Sequence, residues 1–460
     1  MKRYLNWLKY FIGSAITLLH SPNVNAQTYL MTYPYEVQPL PGGLNSTLVA
    51  NSNSPEIIKS EGILMSTFPK EGKKMTDAHL DLAFKGKFDI FTHHIAVERE
   101  LGDFTNVYQC LLIQNATNKE ITLKVNSSAK YATGPDAGFI KLPDFIRNDQ
   151  GKVFSGPGDR VSQDILRGKS YQSYSEGLIK IAPHDFYILM NDKIPISRFG
   201  KSNGKTTLFK LETDGEVYVA DLAMYEKPYS PFQPDTKPDL RDWLNILQNG
   251  DLSEKRDFIP TPLERPYVGQ FFYSRVSGVS VGNEWKAKII NENNYFKIPE
   301  KDKGISYALN TVHNNTYGTK QVQSAYMVKR YDDTAYQAHA NYGVTYDIEI
   351  PLYNRNKEST SVAISFDSPI RTKDDKYEKQ VTYYDEPPEK ITFRGEFYIK
   401  YKSYFGIEKE KYIHVVQRFG QMGLPLVSLF MEPEDKRTVH IKYIYPADCT
   451  PPHILTITSN

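Results

Sequence analysis

The stretch VYVADLAMY at residues 217–225 decides the fold class of this chain. Apart from Asp221 its side chains are apolar on both faces of an extended strand, as in a central strand that is covered on both sides. Residues 121–126, ITLKVN, alternate apolar and polar side chains, and so do residues 439–445, VHIKYIY. A period of two is typical of a half-buried β-strand. The sequence therefore predicts an all-β protein.

Turn-forming dipeptides separate the predicted strands. Pro41-Gly42, Pro157-Gly158 and Asn203-Gly204 are of this kind, and such pairs are typical of connections in antiparallel β-structure. Tyrosine, with 33 residues in the chain, favours pleated and half-buried surfaces. We expect two β-sandwich-like, jelly-roll-like domains, with a strand order that the pattern leaves open.

The middle of the chain breaks the β-pattern. Prolines crowd residues 228–238, and apolar residues then recur at helical spacing over residues 240–247. Pro238 near the start and Gly250 just past the end favour one short amphipathic helix. We interpret this region as a Pro-rich connector between domains. The predicted organisation is a signal peptide at 1–26, an N-terminal β domain at 27–227, the connector at 228–266 and a C-terminal β domain at 267–460.

Two segments of similar sequence lie in the two predicted domains. Residues 115–120, NATNKE, lead into ITLKV, and residues 354–358, NRNKE, lead into STSVAI. Both segments are predicted to be hairpins with a polar turn. The similarity is consistent with two related halves or with coincidence of turn chemistry.

The N-terminus has the three parts of a cleavable secretory signal. Three basic residues occur within the first nine positions, an apolar run follows at residues 11–19, and Val24-Asn25-Ala26 is a small-residue cleavage site. The apolar run is too short to span a bilayer as a helix. We therefore expect export to the periplasm, the cell surface or the extracellular space.

Charge and hydropathy exclude several classes of partner. Cleavage after residue 26 removes three basic residues and no acidic one, so 53 basic and 54 acidic residues remain. Such a balance gives no basic surface for nucleic acid. Since no later apolar run approaches about 18 residues, we expect no transmembrane segment in the mature chain. Only Cys110 and Cys449 are present, and we expect both thiols to be free.

Several longer stretches resemble a known family. They include NSNSPEIIKSEGILMSTFP (51–69), GPGDRVSQDILRG (156–168), YDDTAYQAHANYG (331–343) and YPADCTPPHILT (445–456). In these stretches the chain is similar to exported cyanobacterial proteins catalogued as a domain of unknown function, number 3370. The resemblance implies an envelope or extracellular protein, and it implies no activity, ligand or catalytic residue.

Two motifs have the residue types of known catalytic motifs, but their predicted surroundings differ from those that catalysis requires. Residues 278–282, GVSVG, match the nucleophile elbow of serine hydrolases, which requires a strand, a sharp turn and a helix. The residues that follow alternate like a second strand, so we predict a hairpin turn. Asp385, Glu386 and Glu389 resemble glycosidase acids, but their surroundings favour a solvated acidic loop.

Four residues are candidate binding residues: Asp159, Arg160, His94 and His339. Asp159 and Arg160 follow a compact Gly-Pro-Gly turn, where they could bind a carboxylate or a sugar hydroxyl or could brace a loop through ion pairs. His93 and His94 are adjacent on a predicted strand at 89–97, so their side chains point to opposite faces and cannot easily share a metal. We expect no metal and no cofactor.

These features favour a non-enzymatic binding or structural protein of the cell envelope. Envelope or extracellular polysaccharide is the expected partner, because tyrosine rings can lie against sugar faces and no nucleotide motif is present. The alternative is a carbohydrate-active, glycosidase-like enzyme with paired carboxylates. The oligomeric state stays open.

The signal peptide leads to a first testable prediction. We expect the exported protein to begin at Gln27, because the basic, apolar and small-residue regions converge there. The intact mass of the exported protein measures this. A mass that includes residues 1–26 would contradict the proposed export route.

Overall fold

The computed structural model describes residues 29–133, 140–170, 177–196, 203–229, 236–264, 269–370 and 380–460. The predicted signal peptide and the connector prolines Pro231, Pro234 and Pro266 lie outside these ranges. The described residues are mostly β-structure. The prediction of an all-β fold is therefore confirmed.

The described residues form 27 strands, two α-helices and one 3₁₀ turn at Thr76–Ala78. The strands are β1 Leu30–Tyr33, β2 Glu36–Gln38, β3 Gly43–Leu44, β4 Leu48–Ser52, β5 Ile57–Ile58, β6 Gly62–Ser66, β7 Phe84–Ala96, β8 Val107–Asn115, β9 Ile121–Thr133, β10 Phe145–Arg147, β11 Leu178–Ile181, β12 Phe186–Ile194, β13 Asn203–Tyr225, β14 Ser277–Val281, β15 Glu284–Lys288, β16 Phe296–Lys297, β17 Lys303–Leu309, β18 Ala325–Arg330, β19 Gln337–Ala338, β20 Thr345–Tyr353, β21 Thr360–Asp367, β22 Val381–Tyr384, β23 Ile391–Lys402, β24 Glu408–Arg418, β25 Pro425–Met431, β26 Lys436–Ile444 and β27 His453–Ser459. The helices are α1 Pro157–Leu166 and α2 Leu240–Asn249.

The strands of the described residues form four sheets. A twelve-stranded sheet has the order β11-β9-β13-β7-β4-β14-β18-β19, and β5, β6, β8 and β12 pair beside this path. An eight-stranded sheet has the order β10-β24-β23-β26-β20-β15-β3, with β16 beside β20. A five-stranded sheet has the order β2-β17-β27-β21-β25, and β1 pairs with β22.

The two halves of the chain exchange strands across these sheets. From the first half, β2 pairs with β17, β3 with β15 and β10 with β24. From the second half, β14 pairs with β4 inside the twelve-stranded sheet. The ladders therefore cross the predicted boundary at 228–266, and the division into domains at that connector stays a prediction.

Each half has its own apolar core. In the second half the rings of Phe366, Phe393 and Phe397 pack together, with centroids 4.6 to 5.5 Å apart. In the first half, the long strand β13 pairs with β6, β7, β8 and β9, so residues 217–225 are central as predicted. Cys110 and Cys449 are buried and free, which confirms the expectation for the thiols.

The predicted helix in the connector is α2. Asp239 caps it, because its carboxylate accepts from the main-chain N–H groups of Arg241 and Asp242. Trp243 and Leu247 are buried in a core that includes residues of β6 and β13. The helix thus packs on the first half, as its apolar stripe indicates.

Two turn predictions are wrong. Pro157-Gly158 begins α1 instead of a turn, so the described residues contain two α-helices where one was predicted. Proline is favoured in the first turn of a helix, because the main-chain N–H at that position has no partner within the helix. A Pro-Gly pair is therefore compatible with either a turn or a helix start. Asn203-Gly204 lies inside a ladder with Ala96 and Ile95 of β7. Pro41-Gly42 does form the predicted turn between β2 and β3, with Gly42 at φ 89.

The segments after β8 and β20 are arches, so the predicted hairpins are wrong. β8 pairs with β12 and β13, and β20 pairs with β15, β16 and β26, whereas neither pairs with the strand that follows it. In the first arch the Asn115 side-chain Nδ2 donates to the carbonyls of Lys119 (2.6 Å) and Ile181 (3.0 Å). In the second, Asn354 Nδ2 donates to Glu358 (3.1 Å) and Met431 (3.0 Å).

The two arches belong to one four-strand motif that occurs twice. In the first half β12 pairs with β8 and β11 pairs with β9, both antiparallel. In the second half β26 pairs with β20 and β25 pairs with β21 in the same way. Ile121 and Thr360, each six residues after the arch asparagine, pair with the last residues of β11 and β25. This correspondence favours duplication over coincidence.

The arches give a stability prediction. Asn115→Asp and Asn354→Asp each replace a buried amide donor with an oxygen that faces carbonyl oxygens. We expect each to lower the free energy of unfolding by about 1 to 3 kcal/mol, measured by urea denaturation. Asn293→Asp, at an exposed residue, is the control. Losses no larger than that of the control would show that the arch amides do not hold the motif together.

Candidate functional site

A cavity of about 310 Å³ lies where the connector approaches the first half of the chain. Its walls come from residues 55–59 and residues 255–258, and both segments combine charged and apolar side chains. Ligand-binding pockets in proteins have volumes of roughly 300 Å³ and above. Two other cavities have volumes of about 10 Å³ each, enough for about one water molecule. The larger cavity is therefore the candidate binding site.

The junction cluster lies beside this cavity and consists of Glu56, His93, Arg275 and Asp448. Arg275 Nη2 lies 2.5 Å from Glu56 Oε2, and His93 Nε2 lies 3.1 Å from Asp448 Oδ1. Glu56 and His93 belong to the first half of the chain, and Arg275 and Asp448 to the second. Since Glu56 also lines the cavity, the cluster connects the cavity to the junction of the halves.

The carboxyl groups at this site have shifted pKa values. Burial raises the pKa of Glu56, although Arg275 and His93 act against it. Burial also raises the pKa of Asp257, which lines the cavity. Burial acts against the charged form of Asp448 too, but His93, Arg394 and Arg275 together lower the pKa of Asp448. Carboxyl groups with pKa values shifted in a cleft are a signal of function.

An exposed aromatic ring forms one edge of the cavity. The Phe258 side chain is 72% exposed, and its ring lies 5.1 Å from that of Phe272. Arg256, the neighbouring residue, is held by Asp333 (2.7 Å) and lies over the Tyr331 ring (4.9 Å). The connector segment 255–258 is therefore anchored through Arg256 while Phe258 stays accessible to a ligand.

The predicted binding residues Asp159 and Arg160 lie on α1, away from the residues that line the cavity. Asp159 Oδ2 accepts from His414 Nε2 at 2.6 Å and from the Ser155 main-chain N–H at 2.7 Å. Arg160 Nε donates to Asp164 at 2.8 Å. These charges brace α1 against its own turn and against β24, and a binding role for Asp159 and Arg160 stays a prediction.

The predicted binding residues His94 and His339 lie in different surroundings. His94 is fully buried, where its Nε2 lies 3.1 Å from both Ser52 Oγ and Asp221 Oδ2. His339 is stacked on Tyr273, and burial together with the charge of Arg275 lowers the pKa of His339 to about 4. His339 is thus close to the junction cluster, whereas His94 and His93 have different partners, as expected for opposite faces of one strand.

The two formal catalytic motifs lie in a strand and in an exposed loop. Ser280 lies in β14, and a second strand follows Gly282, so the strand-turn-strand prediction is confirmed. The prediction of a hairpin is wrong, because β14 pairs with β4 and β18 while β15 pairs with β3 and β20 in another sheet. Asp385, Glu386 and Glu389 are exposed, as expected for a solvated loop.

Sequence reasoning missed the residues of the junction cluster other than His93. Glu56, Arg275 and Asp448 are separated by hundreds of positions, so no local motif could connect them. One signal was available: Glu56 lies in NSNSPEIIKSEG and Asp448 in YPADCTPPHILT, two stretches that carry the family resemblance. Polar residues in such stretches are candidates for a shared site.

Fold and site together define an all-β protein with a ligand-sized, charged cavity between its connector and its first half. The chain belongs to a family described as protein of unknown function (DUF3370), whose profile matches residues 35–459. This confirms the family resemblance of the sequence. No curated protein matches the chain.

The helices of the structure can be compared with the requirements for a membrane-spanning segment. Over the described ranges, none of the helices is both long enough and apolar enough to cross a bilayer. This agrees with the absence of a long apolar run after the first 26 residues.

The contact between α1 and β24 gives a pH prediction. Burial disfavours the charged imidazole of His414, but Asp159, with a smaller contribution from Glu396, raises the pKa of His414. A raised pKa means that the pair contributes fully below the pKa of an unfolded histidine, about 6.5, and less as pH rises through the folded pKa. Asp159→Asn should therefore lower the free energy of unfolding by about 3 kcal/mol at pH 5.5 and by less at pH 9.

Urea denaturation at the two pH values measures this difference. Asp164→Asn, which removes the partly exposed partner of Arg160, is the control and should cause a smaller loss that does not change with pH. An equal effect of Asp159→Asn at both pH values would show that the charge of His414 does not stabilise the contact.

Proposed function

We propose that this chain is an exported, non-enzymatic binding protein that holds a neutral or weakly charged polysaccharide in the cavity beside the junction cluster. The polysaccharide belongs to the cell envelope or the extracellular space. The observation that carries this proposal is the combination of an exposed ring, Phe258, with half-buried carboxyl groups on the same cavity. The predicted signal peptide at residues 1–26 supports the exported compartment.

The cavity offers both kinds of contact that a sugar uses. The face of an aromatic ring packs against the apolar face of a pyranose, and carboxylates and ammonium groups hydrogen-bond with hydroxyls. Phe258 supplies the ring, Glu56 and Asp257 the acceptors, and Lys59 and Lys255 the donors. Since charges of both signs line the cavity, we expect binding to depend only weakly on salt.

The tyrosines have a smaller role in this proposal than their number suggested. In the part of the chain that the structure describes, Tyr29, Tyr229, Tyr326 and Tyr404 are the largely exposed tyrosines. They lie before β1, after β13, in β18 and after β23, so they share no sheet face. Most other described tyrosines pack against neighbouring side chains, and the accessible ring at the cavity is a phenylalanine.

A glycosidase-like activity is the second candidate function. Glu56 and Asp257 both line the cavity and both have raised pKa values, and glycosidases use a pair of carboxyl groups on either side of the scissile bond. The two candidates differ in turnover. A binding protein leaves the oligosaccharide intact, whereas an enzyme hydrolyses it and releases new reducing ends. In the enzyme, Asp257→Asn would abolish this release.

Substitution of Phe258 tests the proposed site. A glycan array of the purified mature protein identifies an oligosaccharide, and calorimetric titration measures its affinity. We expect Phe258→Ala to weaken binding about three- to tenfold, because the stacked ring is lost. Phe405→Ala is the matched control, since Phe405 is 82% exposed in the turn between β23 and β24 and does not line the cavity.

The opposite pattern would contradict the proposal. If Phe405→Ala removes binding and Phe258→Ala does not, the ligand lies on the β23–β24 turn and the cavity is not the site. Affinity that falls steeply between low and physiological salt would show an anionic ligand instead of a neutral one.

A further inference from the structure

Three side chains of the junction cluster lie close enough together to bind one metal ion. Glu56, His93 and Asp448 each place one ligand atom so that all three atoms lie within 4.8 Å of one another. One imidazole and two carboxylates suit divalent ions such as Zn²⁺ and Mn²⁺. Ligand atoms on a tetrahedral zinc ion lie roughly 3.4 Å apart, so the widest pair has to close by at most about 1.4 Å.

The orientation of His93 fits a metal ligand. Its ring is fully buried, and its Nδ1 lies 2.8 Å from the Thr206 hydroxyl. Nε2 therefore faces Asp448 Oδ1, 3.1 Å away. Histidines that bind metals are oriented in this way by a hydrogen bond through the other ring nitrogen, and Thr206 supplies that bond.

The carboxylate of Asp448 is a second, independent indication. Its Oδ2 is buried and has no hydrogen-bond partner among the described residues. A buried oxygen of a carboxylate without a partner is costly in a folded protein. A cation at the cluster would satisfy it.

Arg275 supplies positive charge to the cluster in the present structure. It contacts Glu56 Oε2 at 2.5 Å, and its charge also acts on Asp448, as does that of Arg394. The Arg275 side chain is 34% exposed and that of Glu56 is 19% exposed. The Arg275–Glu56 ion pair is therefore partly open to solvent.

We propose that Glu56, His93 and Asp448 bind one divalent ion of the zinc and manganese class, and that Arg275 occupies the cation position on Glu56 when no metal is bound. The ligands come from both halves of the chain, so the ion stabilises the junction. The site does not depend on the polysaccharide proposed for the cavity.

Titration of the metal-stripped full chain tests this proposal. After EDTA treatment and dialysis, we expect Zn²⁺ to bind with one-to-one stoichiometry by calorimetry and to raise the midpoint of thermal unfolding, since an ion that binds only the folded state stabilises it. Glu56→Gln and Asp448→Asn should each weaken binding at least about tenfold. Co²⁺ should give visible absorption bands that are lost in the same two variants.

Two further variants separate a metal site from an ion-pair network. Arg275→Gln removes a positive charge that opposes the ion, so we expect it to strengthen Zn²⁺ binding. His440→Gln, at a partly exposed residue of β26, should leave binding unchanged. Circular dichroism melts show whether each variant is folded.

Two results would overturn the proposal. One is a wild-type protein that binds no stoichiometric Zn²⁺ or Mn²⁺. The other is binding that folded Glu56→Gln and Asp448→Asn variants retain in full, which would place the ion elsewhere.

Discussion

The main-chain ladders between the two halves are the constraint on which the rest of this structure depends. Strands β2, β3 and β10 of the first half complete sheets of the second, and β14 of the second half lies beside β4 of the first. Separation of the halves would break the main-chain hydrogen bonds of every one of these ladders. The halves are therefore held in one arrangement, and the groups that meet at their junction are held with them.

Charged side chains from both halves of the chain meet at the junction. Arg275 and Asp448 of the second half form ion pairs there with Glu56 and His93 of the first. Two copies of one four-strand motif, each with a buried asparagine in its arch, build the sheets on either side. The charged cluster and the cavity come from residues outside the strands of this motif.

Local sequence patterns predicted individual strands correctly, but they did not predict which strands pair with each other. The alternation at 121–126 and 439–445 identifies half-buried strands because burial on one face imposes a period of two. The segments at Asn115 and Asn354 are arches, although their sequences predict hairpins. A polar turn has the same composition whether its two flanking strands pair with each other or with other strands. Pro157-Gly158 can begin either a turn or a helix, and packing of α1 between two sheets decides it. The junction cluster depends on long-range strand pairing, which no local pattern encodes.

Calorimetric unfolding of the mature chain tests the central claim, that exchanged strands make the two halves one unit. The account predicts one transition in which the calorimetric and van't Hoff enthalpies agree, because neither half keeps its ladders without the other. Two resolved transitions, or a van't Hoff enthalpy near half the calorimetric value, would show that the halves unfold independently and that the junction does not hold the site together.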